Sequence, residues 1–105
     1  MASWVIREGS VGIERSAYLE NQDGDPLDLT GLTATLKVWT DDPDNPILTT
    51  LMTVIEPLLG FVKWTISVSD SAKLPAGTYL AEIELTSPGY IDSTDSFIIS
   101  VKPSP

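Results

Sequence analysis

The acidic side chains are the main groups here that could do chemistry, because histidine and cysteine are both absent. The chain therefore has no thiolate nucleophile, no disulfide and no ordinary zinc site. Glu82 and Glu84 form a candidate carboxylate pair, since alternate residues of a strand share one face about 7 Å apart. A glycosidase pair also needs a cleft and one raised pKa. The alternating Glu-Ile-Glu favours a solvated strand face instead, so we expect that the protein is not an enzyme.

A second acidic group lies in one loop. Asp41, Asp42 and Asp44 offer carboxylate oxygens, the ligands that calcium prefers in proteins. Their spacing does not match an EF-hand loop, and Pro43 and Pro46 are typical of a turn. The three aspartates are weak calcium candidates beside the simpler interpretation of a solvated loop, and we expect no cofactor.

Four apolar residues are candidates for protein–protein contacts. Trp39, Leu80 and Ile98 fall on the opposite parity from the apolar residues around them, so we expect them on an outer sheet face or, for Trp39, at a strand end. Neighbouring strands lie about 4.8 Å apart, so Leu80 and Ile98 could form one patch. The alternatives are a shifted register or isolated surface hydrophobes. Trp4 belongs to a short apolar segment that pairs within its own sheet or adds to a neighbouring subunit.

Strands must position these residues, and period-two alternation predicts strands along most of the chain. The pattern is clearest in residues 32–39, 61–68 and 78–86. It is weaker in residues 3–7, 13–20 and 96–101, and residues 47–55 are apolar at both parities, so their register cannot be read. The inward sets of the three clear strands are Leu32, Ala34, Leu36 and Val38; Val62, Trp64, Ile66 and Val68; Tyr79, Ala81, Ile83 and Leu85.

The segment 69–75 interrupts the alternation. Ser69 or Asp70 could cap one helical turn, and Leu74 could fill the core. Tyr79, two residues after Gly77 at the start of the penultimate strand, occupies the position of a tyrosine corner. With about seven strands and regular turns, the sequence predicts an all-β fold, a single immunoglobulin-like Greek-key β-sandwich.

Length and charge limit the remaining possibilities. The 105 residues suffice for one domain, which we place at residues 1–102, followed by a short tail at 103–105. Fifteen acidic against six basic residues give a net charge of −9, which argues against nucleic-acid and anionic-membrane partners. Glu8 lies close to the N-terminus and no apolar run follows it, so we expect no signal peptide.

Several stretches resemble one family of phage proteins. Residues 23–31 read DGDPLDLTG, residues 60–66 read GFVKWTI, residues 70–79 read DSAKLPAGTY and residues 95–101 read DSFIISV. Together they resemble the immunoglobulin-like N-terminal domain of phage baseplate upper proteins and related virion proteins, over nearly the whole chain. Gly-Thr-Tyr before a strand occurs in many immunoglobulin-like modules, whereas its combination with Asp-Leu-Thr-Gly is less generic.

This resemblance implies a structural protein of a phage particle, in the tail, baseplate or head surface, with other virion proteins as partners. It implies localisation in the virion after assembly in the host cytoplasm, and no catalytic residues. Virion symmetry makes a homo-oligomer plausible, with a trimer as the first guess. The alternative is a glycan-binding adhesion module with an exposed Trp39 as its stacking platform. A third interpretation is a spacer domain of a bacterial surface protein.

Overall fold

Two β-sheets packed face to face make up the computed structural model, which describes residues 3–104. Over these residues the chain also forms one 3₁₀ turn, at Pro57–Leu59, and one short helix, α1, at Val68–Ala72. No helix within this described range is long and apolar enough to cross a membrane. The strands are β1 (Trp4–Arg7), β2 (Glu14–Tyr18), β3 (Thr33–Trp39), β4 (Leu48–Leu51), β5 (Thr53–Glu56), β6 (Phe61–Thr65), β7 (Gly77–Ser87), β8 (Tyr90–Ser93) and β9 (Phe97–Lys102).

The strand order is that of an immunoglobulin-like sandwich. The larger sheet runs β1-β9-β7-β3-β4, with β8 paired to the far end of β7, and the smaller sheet runs β2-β6-β5. β2, β6 and β5 thus take the places of immunoglobulin strands B, E and D, and β3, β7 and β9 those of C, F and G. β1 pairs with β9 in parallel, while the other pairs are antiparallel. The predicted fold class is confirmed.

The core lies between the sheets and is built from the alternating inward residues. The predicted inward sets of β3, β6 and β7 are buried, except for Leu32, which is partly buried, and Val68. In β9 the buried residues are Phe97, Ile99 and Val101. Burial of this apolar surface is the main favourable term that holds the two sheets together.

Residues 47–55 form two strands instead of the single one that the sequence predicts. β4 pairs with β3 in the larger sheet, and β5 pairs with β6 in the smaller one. The buried Met52 lies at the crossing. A segment that changes sheet also changes its surroundings, which explains why apolar residues occur at both parities. With the additional strand β8, the described chain has nine strands against the expected seven.

The helical turn begins earlier than the sequence predicts. Its cap is Ser67, whose Oγ accepts the backbone N–H of Asp70 at 3.0 Å, so neither Ser69 nor Asp70 serves as the cap. Val68 is therefore the first residue of α1 and is 72% exposed, and its predicted place in the core is wrong. Leu74 does fill the core, as predicted, at 1% exposure.

The tyrosine corner is present. The Tyr79 hydroxyl donates a hydrogen bond to the backbone oxygen of Pro75, four residues earlier, while the ring is buried. Burial raises the pKa of Tyr79, and the nearby Glu8 carboxylate raises it further. The contact fixes the start of β7, the strand that carries Leu80 on its outer side.

Candidate protein–protein interface

Trp39, Leu80 and Ile98 lie in one row across three neighbouring strands. In the register of the larger sheet Trp39 of β3 is paired with Leu80 of β7, and Leu80 is paired with Ile98 of β9. All three have the parity opposite to the core residues of their strands, so they share the outer face of this sheet. Side chains paired directly across strands have Cβ atoms about 5 Å apart, so the three form one continuous apolar row. We call it the outer-face row.

Exposure differs along the outer-face row. Ile98 is 45% exposed and Leu80 is 37% exposed, whereas Trp39 is only 5% exposed. Trp39 lies on the outer parity at a strand end, as predicted, but it is not the exposed platform that the glycan alternative requires. Trp39 is the last residue of β3, and beside it the chain returns toward β4, where the Ile47 N–H bonds the Val38 oxygen at 2.8 Å. Flanked by Leu80 on one side and by this return on the other, the indole is left with little surface for water. Leu80 and Ile98 are the accessible members.

A charged row lies next to the apolar one. Lys37 is paired with Glu82 in the register, and its Nζ contacts Glu84 Oε2 at 2.9 Å. This hydrogen bond with Glu84 is the main reason that the pKa of Lys37 is raised. Two carboxylates thus lie beside one ammonium group, so this charged row is net negative by one next to the apolar row, while Arg7 and Lys102 lie elsewhere on the same outer face. Glu82 and Glu84 share a strand face as predicted, but Glu84 is held in an ion pair and neither residue lines a described groove.

Trp4 belongs to the core and not to the surface. It is 7% exposed, its ring stacks on Trp64 of the smaller sheet at 6.0 Å between centroids, and it meets Phe97 edge to face at 4.9 Å. The parity of β1 turns Trp4 and Ile6 inward and Val5 outward. β1 pairs within its own sheet, the simpler of the two interpretations, and the role of Trp4 as an exposed interface residue is corrected.

The loop aspartates do not come together. Asp41, Asp42 and Asp44 are all exposed, and Asp42 Oδ1 accepts the backbone N–H of Asp44 at 2.9 Å, as in an ordinary Asx turn. Across residues 3–104 no three acidic side chains are arranged so that they could hold a metal ion. Calcium needs six to eight oxygens. The loop geometry therefore gives the calcium interpretation no support.

One groove was not foreseen from the sequence. It has a volume of about 550 Å³ and lies near the end of β7, where Tyr18 to Gln22 of the smaller sheet approach Asp92 to Asp95 of the larger one. Tyr18 is 62% exposed, and its ring stacks on Phe61 at 4.5 Å. The sequence signal for this region was that Tyr18 and Phe61 both have outward parity. The groove itself depends on how two loops approach, which periodicity does not report. Trp39 is absent from its lining, so the condition for a Trp39-based glycan site is not met.

No protein-family model matches the chain, and no curated protein matches it. Among solved structures the chain is similar to the N-terminal domain of phage TP901-1 ORF48, with a TM-score of 0.67 and 17% sequence identity over 96% of this chain and 85% of that one. It is also similar to CopC from Methylosinus trichosporium OB3b, with a TM-score of 0.53 and 10% identity over 100% of this chain and 88% of that one. At these identities the likeness concerns the fold, a β-sandwich that a phage protein domain also adopts.

Proposed function

We propose that this protein is a non-enzymatic structural component of a bacteriophage particle, in its tail, baseplate or head surface, and that it acts through protein–protein contacts. The proposal places the chain in the virion after assembly in the host cytoplasm, with other virion proteins as its partners. It requires no cofactor. A homo-oligomer, first of all a trimer, is part of the proposal.

Two independent features support the phage assignment. The fold is similar to a domain of a phage protein over 96% of the chain. The Asp-Leu-Thr-Gly stretch at 28–31 and the Leu-Pro-Ala-Gly-Thr-Tyr stretch at 74–79 resemble the phage domain family in sequence. Shared fold alone does not fix a function, because sandwiches of this type serve many roles. The combination of fold and motif favours a particle protein.

The observation that carries the contact mechanism is the outer-face row. An apolar row that crosses three neighbouring strands of a sheet face is typical of a surface that a partner covers. Leu80 and Ile98 supply accessible aliphatic anchors, and the almost buried Trp39 gives them a rigid neighbour. The carboxylates of Glu82 and Glu84 border the row, and the chain carries a net charge of −9. A partner surface with an apolar centre and basic residues around it is the complementary one.

The test is to place two lysines in the outer-face row of the phage-encoded protein, as Leu80→Lys with Ile98→Lys. Lysine removes the apolar contact and repels a basic partner. We expect the variant to fold, because both side chains are partly exposed, and its copy number in purified particles to fall at least tenfold. Quantitative mass spectrometry of the particles gives that number.

A matched control carries the same charge change elsewhere. Leu58 and Val68 are 70% and 72% exposed and lie outside the outer-face row. The variant Leu58→Lys with Val68→Lys should enter particles at the normal level. Normal incorporation of the Leu80 and Ile98 variant, or equal loss of the control, would contradict the proposed interface.

A further inference from the structure

The two stacked sheets have two lateral sides, each formed by one edge strand of each sheet. The chain links the two sheets in a different way on each side. On one side it crosses from β4 to β5 at Met52. On the other side lie the free edges of β2 in the smaller sheet and β1 in the larger one. Arg15 bridges these edges, because its Nη1 donates to the Glu14 oxygen at 2.8 Å and its Nη2 donates to the Val5 oxygen at 2.7 Å. Arg15, which has the same parity as the inward Ala17, thus joins one strand edge of each sheet.

The edge of β2 beyond Arg15 has no strand beside it within the described residues. The Leu19 N–H bonds the Gly60 oxygen and the Ile66 N–H bonds the Ile13 oxygen, so the odd-numbered residues of this strand face β6. In an antiparallel ladder the alternate residues direct their N–H and C=O groups to the opposite edge. Among the residues that the structure describes, the backbone groups of Ser16 and Tyr18 therefore have no partner and lie at strand spacing, which is the template that an added strand uses.

The groove near Tyr18 continues from this edge. Its floor is apolar, formed by Leu19, Leu27 and Leu85, while Glu20, Asp92 and Asp95 supply carboxylates along it. No lysine or arginine is among the residues that line it. The Asp92 carboxylate accepts the Ser93 N–H at 2.9 Å and the Tyr90 hydroxyl at 3.4 Å, and it forms no salt bridge within residues 3–104.

We propose that the open edge of β2 and this groove together bind an extended, basic segment of a partner protein, which adds to β2 as a further strand. The proposal rests on the proposed function, since it names the kind of chain that a particle partner would contribute. The unpaired groups of Ser16 and Tyr18 would bond the backbone of the segment. Its lysine or arginine side chains would meet the carboxylates of Glu20, Asp92 and Asp95, and Tyr18 offers an exposed ring for cation–π contact.

Strand addition and charge favour this occupant over a sugar. A neutral glycan has no backbone at strand spacing for the β2 edge and no charge to offset the three carboxylates. A second copy of this chain is also disfavoured as the donor, because the added segment must be basic and this chain has six basic against fifteen acidic residues. A basic extended segment can bond the backbone groups of the β2 edge and also offset the carboxylates of the groove.

The test uses two short synthetic peptides with blocked ends, one that alternates lysine with threonine and one with the same number of lysines, in which two prolines separate each lysine from the next. Both carry the same charge, but on neither side of the proline peptide do two successive residues have an N–H group, so it cannot pair with both Ser16 and Tyr18. Backbone hydrogen exchange of the protein is followed by NMR while each peptide is titrated. We expect the threonine peptide to slow exchange of the Ser16 and Tyr18 amides at least tenfold, and the proline peptide to leave them unchanged.

Charge-reversal variants test the groove. Glu20→Lys with Asp95→Lys should weaken binding of the threonine peptide at least tenfold. The control Asp41→Lys with Asp44→Lys makes the same charge change in an exposed loop outside the groove lining and should bind normally.

Three results would overturn the inference: no binding, equal binding of both peptides, or binding without protection of Ser16 and Tyr18. Protection of these amides by a neutral oligosaccharide and not by the peptide would assign the groove to a glycan. None of these results bears on the copy number of the chain in particles, so failure here is distinguishable from failure of the proposed function.

Discussion

Gly60 lies where the smaller sheet meets the 3₁₀ turn, and its backbone leaves no room for a side chain. Its φ is +65°, and a Cβ at this position would stand 2.3 Å from the Leu19 oxygen. The same Leu19 donates its N–H to the Gly60 oxygen at 2.8 Å. The absence of a side chain at Gly60 therefore lets the end of β2, and with it Tyr18, approach β6.

Gly60→Ala, compared with an alanine substitution at another glycine of positive φ, separates the cost of the steric clash with Leu19 from the cost of the backbone conformation. Gly31 has a similar φ of +77° with nothing within 4 Å of its Cβ position, so Gly31→Ala measures the conformational cost alone. We expect Gly60→Ala to lower the free energy of unfolding by about 2 kcal/mol more than Gly31→Ala does. Urea denaturation measures both, and equal losses would show that the Leu19 contact is unimportant.

The Tyr79 hydroxyl links pH to stability. Because burial raises its pKa in the folded state, the folded protein holds this proton more tightly than the unfolded chain. The contribution is fully present below the unfolded value near 10 and is lost as the pH rises through the folded value.

The variant Tyr79→Phe tests this link. At pH 7 we expect it to lower the free energy of unfolding by about 1 kcal/mol through the lost bond to Pro75. Above pH 10 the difference from the wild type should shrink, and denaturation at a series of pH values measures it. Tyr18→Phe, at an exposed ring, should show no loss at pH 7. A constant difference up to pH 12 would contradict the account.

At the scale of elements, α1 is tied to both sheets by Asp70. This carboxylate is 6% exposed and accepts hydrogen bonds from Trp64 Nε1 of β6 at 2.9 Å and from Thr50 Oγ1 of β4 at 3.3 Å. The backbone N–H of Asp70 also donates to the Oγ of the Ser67 cap. One residue therefore connects the helical turn to a strand of each sheet.

Removing this carboxylate should be costly. Asp70→Ala leaves the buried Trp64 N–H without its partner, so we expect a loss of about 3 kcal/mol in the free energy of unfolding. Ser69→Ala changes an exposed residue of the same helix and should cost nothing. Thermal denaturation followed by tryptophan fluorescence measures both, and similar midpoints for the two variants would refute the linking role.

Sequence periodicity predicted the elements whose two faces differ in environment. β3, β7 and β9 each have one buried face and one solvated face, so alternation predicted which residues face the core and that Leu80 and Ile98 face outward. It failed at residues 47–55, where the chain changes sheet, and at Val68, where the Ser67 cap starts a helix. The burial of Trp39 and the groove beside Tyr18 depend on how separate segments approach, which no local pattern encodes.

At the scale of the whole molecule, we propose that the negative charge and the outer-face row together determine how the protein associates. A charge of −9 would keep copies apart at long range, while contact through Leu80 and Ile98 would operate at short range. Acidic side chains do not converge on a metal site in the part of the chain that the structure describes, so association should not depend on calcium.

Light scattering in the presence and absence of a chelator checks this. We expect the same solution mass in both conditions, either the monomer mass of 11.4 kDa or a fixed multiple of it. If the multiple is three, Leu80→Lys with Ile98→Lys should return the mass to that of the monomer. A mass that falls on chelation alone would contradict the metal-independent account.

A structural part of a phage particle is present in each particle at a set copy number, and we propose that this chain is such a part. The most direct measurement is its copy number in purified particles, by quantitative mass spectrometry against an isotope-labelled standard of the same chain. The account predicts a fixed number of copies per particle that survives repeated purification in high salt. A chain that is abundant in the lysate but absent from the particles, or present in a variable amount that washing removes, would contradict it.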